Sequence, residues 1–263
     1  MKKIIRVAAT VAVVTICAAC GKGGGGSEGL AFETIKAEKS IGITNEQGTP
    51  QCSVNIQLAA AKGEPAERAA AINAAVVKCL LDMEETPMQQ AVDSFANSYT
   101  RSYVRNFAPL YREDRNDPEK RAWYEYHYNI TGEATTGREG VIVYTAVIDY
   151  YEGGAHGINQ RFIMNFDSQT GKELQLADVF VPGFESRLTE RLLNVLMEKT
   201  DAKSIDELHE KGYLYSMDMF VPENFILDDD AVTFVFNPYE IAPYTEGIIE
   251  LEIDNDELKD LWK

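Results

Sequence analysis

Tyr150-Tyr151-Glu152-Gly153-Gly154-Ala155-His156-Gly157 opens the stretch whose pattern decides the fold. An alternating run follows, Arg161-Phe162-Ile163-Met164-Asn165-Phe166, and then Asp167-Ser168-Gln169-Thr170-Gly171-Lys172. Turn-forming residues on both sides of a period-two segment predict a strand bracketed by two tight connections. In the second connection the Asp167 carboxylate is expected to bond its own turn, with Gly171 supplying a positive φ. Upstream, residues 141–151 read as the strand entering the first connection. Residues 123–131 read as the strand before that, with a turn over 132–140 between them.

Working outward, residues 32–44 alternate, and Cys52, Val54, Ile56 and Leu58 alternate cleanly after the turn residues 45–50, so a hairpin is expected. Pro65 stands near the start of an alanine-rich helix with Ile72, Val76 and Leu80 on one face. A second helix opens at Thr86-Pro87, where threonine can cap and proline fits the first turn. Its apolar face is Val92, Phe95, Tyr99, Tyr103 and Phe107, and Pro109 helps to end it. Downstream, Phe184, Leu188, Leu192 and Leu196 recur every fourth residue, which predicts a helix, and a shorter one covers 205–211. Residues 225–227 and 232–236 form a hairpin around Asp228-Asp229-Asp230, 248–253 a closing strand and 256–262 a short terminal helix. Hairpins outnumber crossovers, so the class is α+β: mainly antiparallel sheets with helices packed on one side, in two intimately packed subdomains, 30–152 and 153–263.

The first residues carry an address. Lys2, Lys3 and Arg6 precede an apolar run of about ten residues, too short to span a bilayer and proportioned as a secretory signal. Cys17-Ala18-Ala19-Cys20 followed by glycines is similar to a bacterial lipoprotein signal, with 1–19 removed, Cys20 lipidated and 20–29 a flexible tether. The expected location is the bacterial cell envelope, lipid-anchored and outside the cytoplasm. The formal charge is −17, and loss of Lys2, Lys3 and Arg6 with the leader makes it −20. Such a surface repels phosphate backbones, which argues against nucleic acid and favours cationic partners. Cys52 and Cys79 remain as thiols in an oxidising compartment and could pair; their spacing leaves this open and is not that of a metal site.

His156, flanked by glycines, is the first candidate for chemistry, because glycine lets backbone approach a ligand closely. A structural histidine, a ligand contact and a metal ligand all fit this imidazole, and no second histidine four residues on, His-Glu-x-x-His or cysteine pair completes a metal site. His127 lies within a strand and His209 on a helix. No Gly-x-Ser-x-Gly elbow or calcium-loop spacing is present, and neither a cofactor nor a metal is expected. Tyr150, Tyr151, Tyr239 and Tyr244 suit either a recognition surface or a packed corner, since tyrosine combines large contact area with a hydroxyl.

The segment 150–180, together with Asn237-Pro238-Tyr239-Glu240-Ile241-Ala242-Pro243-Tyr244 and Gly247, resembles the extracellular domain of lysozyme-sensing anti-sigma factors of the RsiV type. That domain also occurs beside peptidoglycan deacetylase domains such as that of PdaC. The likeness extends over about 141–253. It implies an envelope binding domain without catalytic activity, with lysozyme or another cationic protein as ligand. Peptidoglycan, bound by an accessory protein of cell-wall modification, is the alternative. Tyr151, Gly153, Gly154, His156, Tyr239 and Tyr244 are the candidate ligand-binding residues. The anti-sigma factor's cytoplasmic region and spanning helix are not expected here, so only the binding domain is carried over.

Overall fold

A computed structural model describes residues 29–84 and 86–263. The leader 1–19, Cys20 and all of the glycine tether except Gly29 lie outside them. β1 (Leu30–Gly42) and β2 (Gln51–Gly63) form the expected antiparallel hairpin, with Leu30 opposite Gly63 and Gly42 opposite Gln51. Two helices follow, α1 (Ala66–Leu81) and α2 (Met88–Asp114). β3 (Tyr126–Thr136) then returns parallel to β2, as a connection through helices permits. β4 (Val141–Tyr151), β5 (Ile158–Asp167) and the short β6 (Glu173–Leu174) complete a six-stranded sheet in sequence order. After α3 (Leu176–Val179), α4 (Glu185–Thr200) and α5 (Ile205–Glu210) comes a second sheet of three antiparallel strands. These are β7 (Phe225–Leu227), β8 (Ala231–Phe236) and β9 (Ile249–Asp254). The class is α+β, and β2–β3 is its one parallel pair among the described residues.

The large sheet is shared by two cores because its side chains alternate. Ile142, Tyr144, Ala146 and Ile148 of β4 and Met164 and Phe166 of β5 pack with α1 and α2. Val141, Val143 and Ile163, one residue out of phase, pack with α4 and the second sheet. Leu188, Leu192 and Leu196 of α4 are fully buried there, each contributing about 1.5–3 kcal/mol of transfer free energy. The loop at 153 therefore joins two paired strands of one sheet, and the cores are divided by a sheet face instead of a point in the chain.

Asparagine side chains join the pieces where backbone pairing stops. Asn165 of β5 donates to the Phe225 carbonyl at 2.7 Å and accepts from the Leu227 N–H at 3.1 Å. Asn224 accepts from the Ile163 N–H at 2.7 Å and donates to the Arg161 carbonyl at 2.8 Å. Asn73 of α1 makes the same pair of bonds to Ala61 of β2. A planar amide offers one donor and one acceptor, as a neighbouring strand would.

Several boundaries differ from the sequence expectation. Pro109 does not end α2, which continues to Asp114; Tyr111 is buried against Tyr124, and the Tyr124 hydroxyl donates to the Asp114 carboxylate at 2.7 Å. Thr86 does not cap α2, since its hydroxyl donates to the Glu84 carbonyl. Trp123 is in a 3-10 turn (Arg121–Tyr124) and is exposed, so β3 begins three residues later. Gly132 lies inside β3 and not in the turn: a Cβ there would meet the buried Tyr144 hydroxyl at 2.5 Å. The terminal helix is a single 3-10 turn, Asn255–Leu258. Cys52 and Cys79 are both free, Cys52 buried on β2 among Tyr103, Tyr111 and Tyr124 and Cys79 exposed on α1. Burial pushes the Cys52 thiol pKa up to about 12, which leaves it protonated and inert at neutral pH.

The Asp167 turn forms as the sequence suggests. Its carboxylate accepts from the Gln169 and Thr170 N–H groups and from the Thr170 hydroxyl, and Gly171 has φ 73°. Partial burial raises the Asp167 pKa, but the bonds from Thr170 and Gln169 outweigh it and hold the group below the ordinary carboxylate value. A depressed folded-state pKa gives stability that is present above the unfolded value and lost as pH falls through the folded one. Asp167→Asn should therefore melt below the wild type at pH 7, and thermal scans should find the gap closing below about pH 4.

Candidate functional site

Two loops carry the candidate residues, 152–157 between β4 and β5 and 237–247 between β8 and β9. Asn237 roots the second loop. It is buried, accepts from the Arg161 N–H at 2.7 Å and donates to the Arg161 carbonyl at 3.0 Å, so it grips the free edge of β5. The Glu240 N–H donates back to the Asn237 carbonyl at 3.1 Å, closing a turn with Pro238 and Tyr239 at its centre. Tyr239 takes φ 73°, at the turn position where glycine is ordinarily favoured. Such a backbone costs a side-chain-bearing residue on the order of 1–2 kcal/mol. Glu240 accepts the Asn237 N–H at 2.7 Å, and its burial raises the carboxyl pKa against that bond.

Across the gap, Gly153 has φ 82°, and a Cβ there would come within 2.8 Å of the Trp123 carbonyl, so the chain must be glycine to turn. The Tyr151 hydroxyl donates to the Gly154 carbonyl at 2.9 Å and braces the loop. The His156 ring lies 3.9 Å from the Tyr244 ring, with planes 15° apart, and 6.5 Å from Tyr239. Its Nδ1 is 2.9 Å from the Gly157 carbonyl, which can only accept, so Nδ1 carries the proton. The Tyr239 hydroxyl, 3.2 Å away, then donates to Nε2. Tyr239 is 60 % exposed, whereas Tyr244 is half-buried and stacks on His156.

His156, Tyr239 and Tyr244 are thus brought together from two distant segments, with Gly153, Gly154 and Tyr151 shaping the loop beside them. His156 bonds within its own loop and to Tyr239. His127 lies elsewhere, on a strand face, 3.1 Å from Asp149, and His209 is on α5. Sequence reasoning missed the third wall of this region. The Leu214 N–H donates to the Ile241 carbonyl at 2.8 Å, and the Tyr213 hydroxyl donates to Glu246 at 2.8 Å. Next to them Tyr215 is 78 % exposed, between Leu214 and Ser216, both of positive φ. Four tyrosines in 213–244 were the available signal, but no periodicity links them.

The second sheet and the 237–247 loop fall inside a segment with recognisable relatives. Residues 177–256 match the model of the DUF3298 family, described as proteins of unknown function. The chain is similar in structure to a DUF3298 family member from Bacteroides fragilis, with a TM-score of 0.83 and 26 % identity, covering 90 % of this chain and 95 % of that one. A DUF3298 family protein from Pseudomonas aeruginosa shares the fold at TM-score 0.62 and 20 % identity, covering 89 % and 95 %. No functionally curated protein matches the chain. Among the described residues no group of three or more His, Cys, Asp or Glu side chains could hold a metal ion, and no helix is long and apolar enough to cross a membrane.

Proposed function

We propose that this is a lipid-anchored binding protein of the bacterial cell envelope, without catalytic activity, that captures a cationic protein through the 237–247 and 152–157 loops. Lysozyme is the partner that the resemblance of these loops to RsiV-type domains suggests. The observation that carries the reading is Tyr239. A large side chain held largely in solvent on a backbone that disfavours it spends folding free energy without burying area, a pattern typical of ligand contacts. The stacked His156 and Tyr244 rings pre-organise that surface and lower the entropy lost on binding. The formal charge of −17 favours encounter with a basic partner and makes association salt-dependent. His156, with both ring nitrogens in hydrogen bonds, is better suited to holding the loop than to proton transfer.

Titration calorimetry of the chain lacking residues 1–19 against a basic lysozyme tests this. Binding is expected at low salt and should weaken at moderate salt. Tyr239→Ala should lose about tenfold in affinity or more, in the range of a central aromatic contact, about 1–2 kcal/mol. Heat-silent mixing at both salt concentrations removes the proposal.

A further inference from the structure

The face of the six-stranded sheet turned away from α1 and α2 carries a polar row that the two loops do not use. The pairing registers place Glu38, Asn55, Asn129, Asp149 and Asn159 directly opposite one another across β1 to β5. Asn55 donates to Asn129 at 3.2 Å, and Asn129 donates to Asp149 at 3.3 Å. His127 Nε2 lies 3.1 Å from the same Asp149 oxygen, and its ring stacks on Tyr151 at 6.1 Å with planes 26° apart. Glu38 and Asn55 are exposed, while Asn129, Asp149 and Tyr151 are half-buried.

We infer that this row is a binding site for an uncharged, extended glycan chain, distinct from the Tyr239, His156 and Tyr244 surface although Tyr151 borders both, and independent of the lysozyme reading. Vicinal hydroxyls both donate and accept, and planar amides beside a carboxylate offer both roles in a fixed plane. The Tyr151 and His127 rings supply an apolar platform for the C–H face of a sugar. Neighbouring strands lie about 4.8 Å apart, close to the advance per residue of a β-linked sugar chain, so successive sugars meet successive members of the row. A hydrophobic peptide would strand these polar groups without partners, and the net negative charge disfavours a polyanion.

Titration with cellohexaose and with chitohexaose, followed by calorimetry and by amide chemical-shift changes, tests the inference. At least one hexaose should bind at millimolar concentration or below and shift the amides of residues 53–57 and 127–131. Asn129→Ala should weaken that binding about tenfold, and the exposed Asn55→Ala severalfold; if Asn129→Ala does not fold, Asn55→Ala decides. Tyr239→Ala should bind the saccharide as the wild type does, which separates this site from the loop surface. Absence of binding by both hexaoses at 10-millimolar order, or wild-type affinity in both asparagine variants, overturns it.

Discussion

Asn165→Leu is expected to lower the melting temperature by about 6–12 °C, corresponding to about 3 kcal/mol for a body of this size. Asn165 is 1 % exposed and sits on β5 facing the second sheet. Its amide bonds both the Phe225 carbonyl and the Leu227 N–H. Leucine fills a similar volume, so the expected loss comes from two backbone groups left buried without partners, each costing about 1–3 kcal/mol. Asn165→Asp separates the two halves of the effect. It keeps an acceptor for the Leu227 N–H but turns an oxygen toward the Phe225 carbonyl, and the buried charge should make it at least as damaging. Hydrogen exchange should locate the change at 225–227, where β7 loosens before the large sheet does. An unchanged melting temperature in Asn165→Leu would mean that β7 is held by apolar packing alone.

Elements with a strong local signal were legible in the sequence. Leu188, Leu192 and Leu196, spaced by four, are all fully buried on α4, and Cys52, Val54, Ile56 and Leu58 all point inward from β2. The Asp167 turn was readable because its chemistry lies within five residues. Features set by distant pairing were hidden. The polar row depends on the parallel register of β2 with β3, which places Asn55 opposite Asn129 across 74 residues and two helices. Gly132 looked like a turn because a strand glycine has a reason only when Tyr144 is known to lie against it. Pro109 looked like a helix end because the Tyr111 and Asp114 contacts that hold the last turn come from residues further along. For the site, His156 and the two tyrosines were each visible as unusual residues in glycine- and proline-rich loops. Their meeting was not, because it requires β5 and β8 to be brought together through Asn237.

That link leads to the other large effect. Asn237→Ala should destabilise by about 2 kcal/mol and, while still folded at 25 °C, should weaken binding at the loop surface about as much as Tyr239→Ala does, about tenfold or more. The stability cost follows from the Arg161 N–H, which loses its acceptor, while the Arg161 carbonyl keeps Asn224. It should read as a drop of about 4–8 °C in melting temperature. The larger consequence is positional. Tyr239 is held at positive φ because Asn237 fixes one end of a four-residue turn and the chain through Ile241, bonded to Leu214, fixes the other. With the first anchor gone, the turn can relax to negative φ, and the Tyr239 hydroxyl swings away from His156. A variant that lost only stability would bind normally whenever it was folded. Calorimetry at 25 °C on folded Asn237→Ala therefore distinguishes an anchor that builds the surface from one that merely steadies the fold, and retention of wild-type affinity would detach Tyr239 from the recognition role.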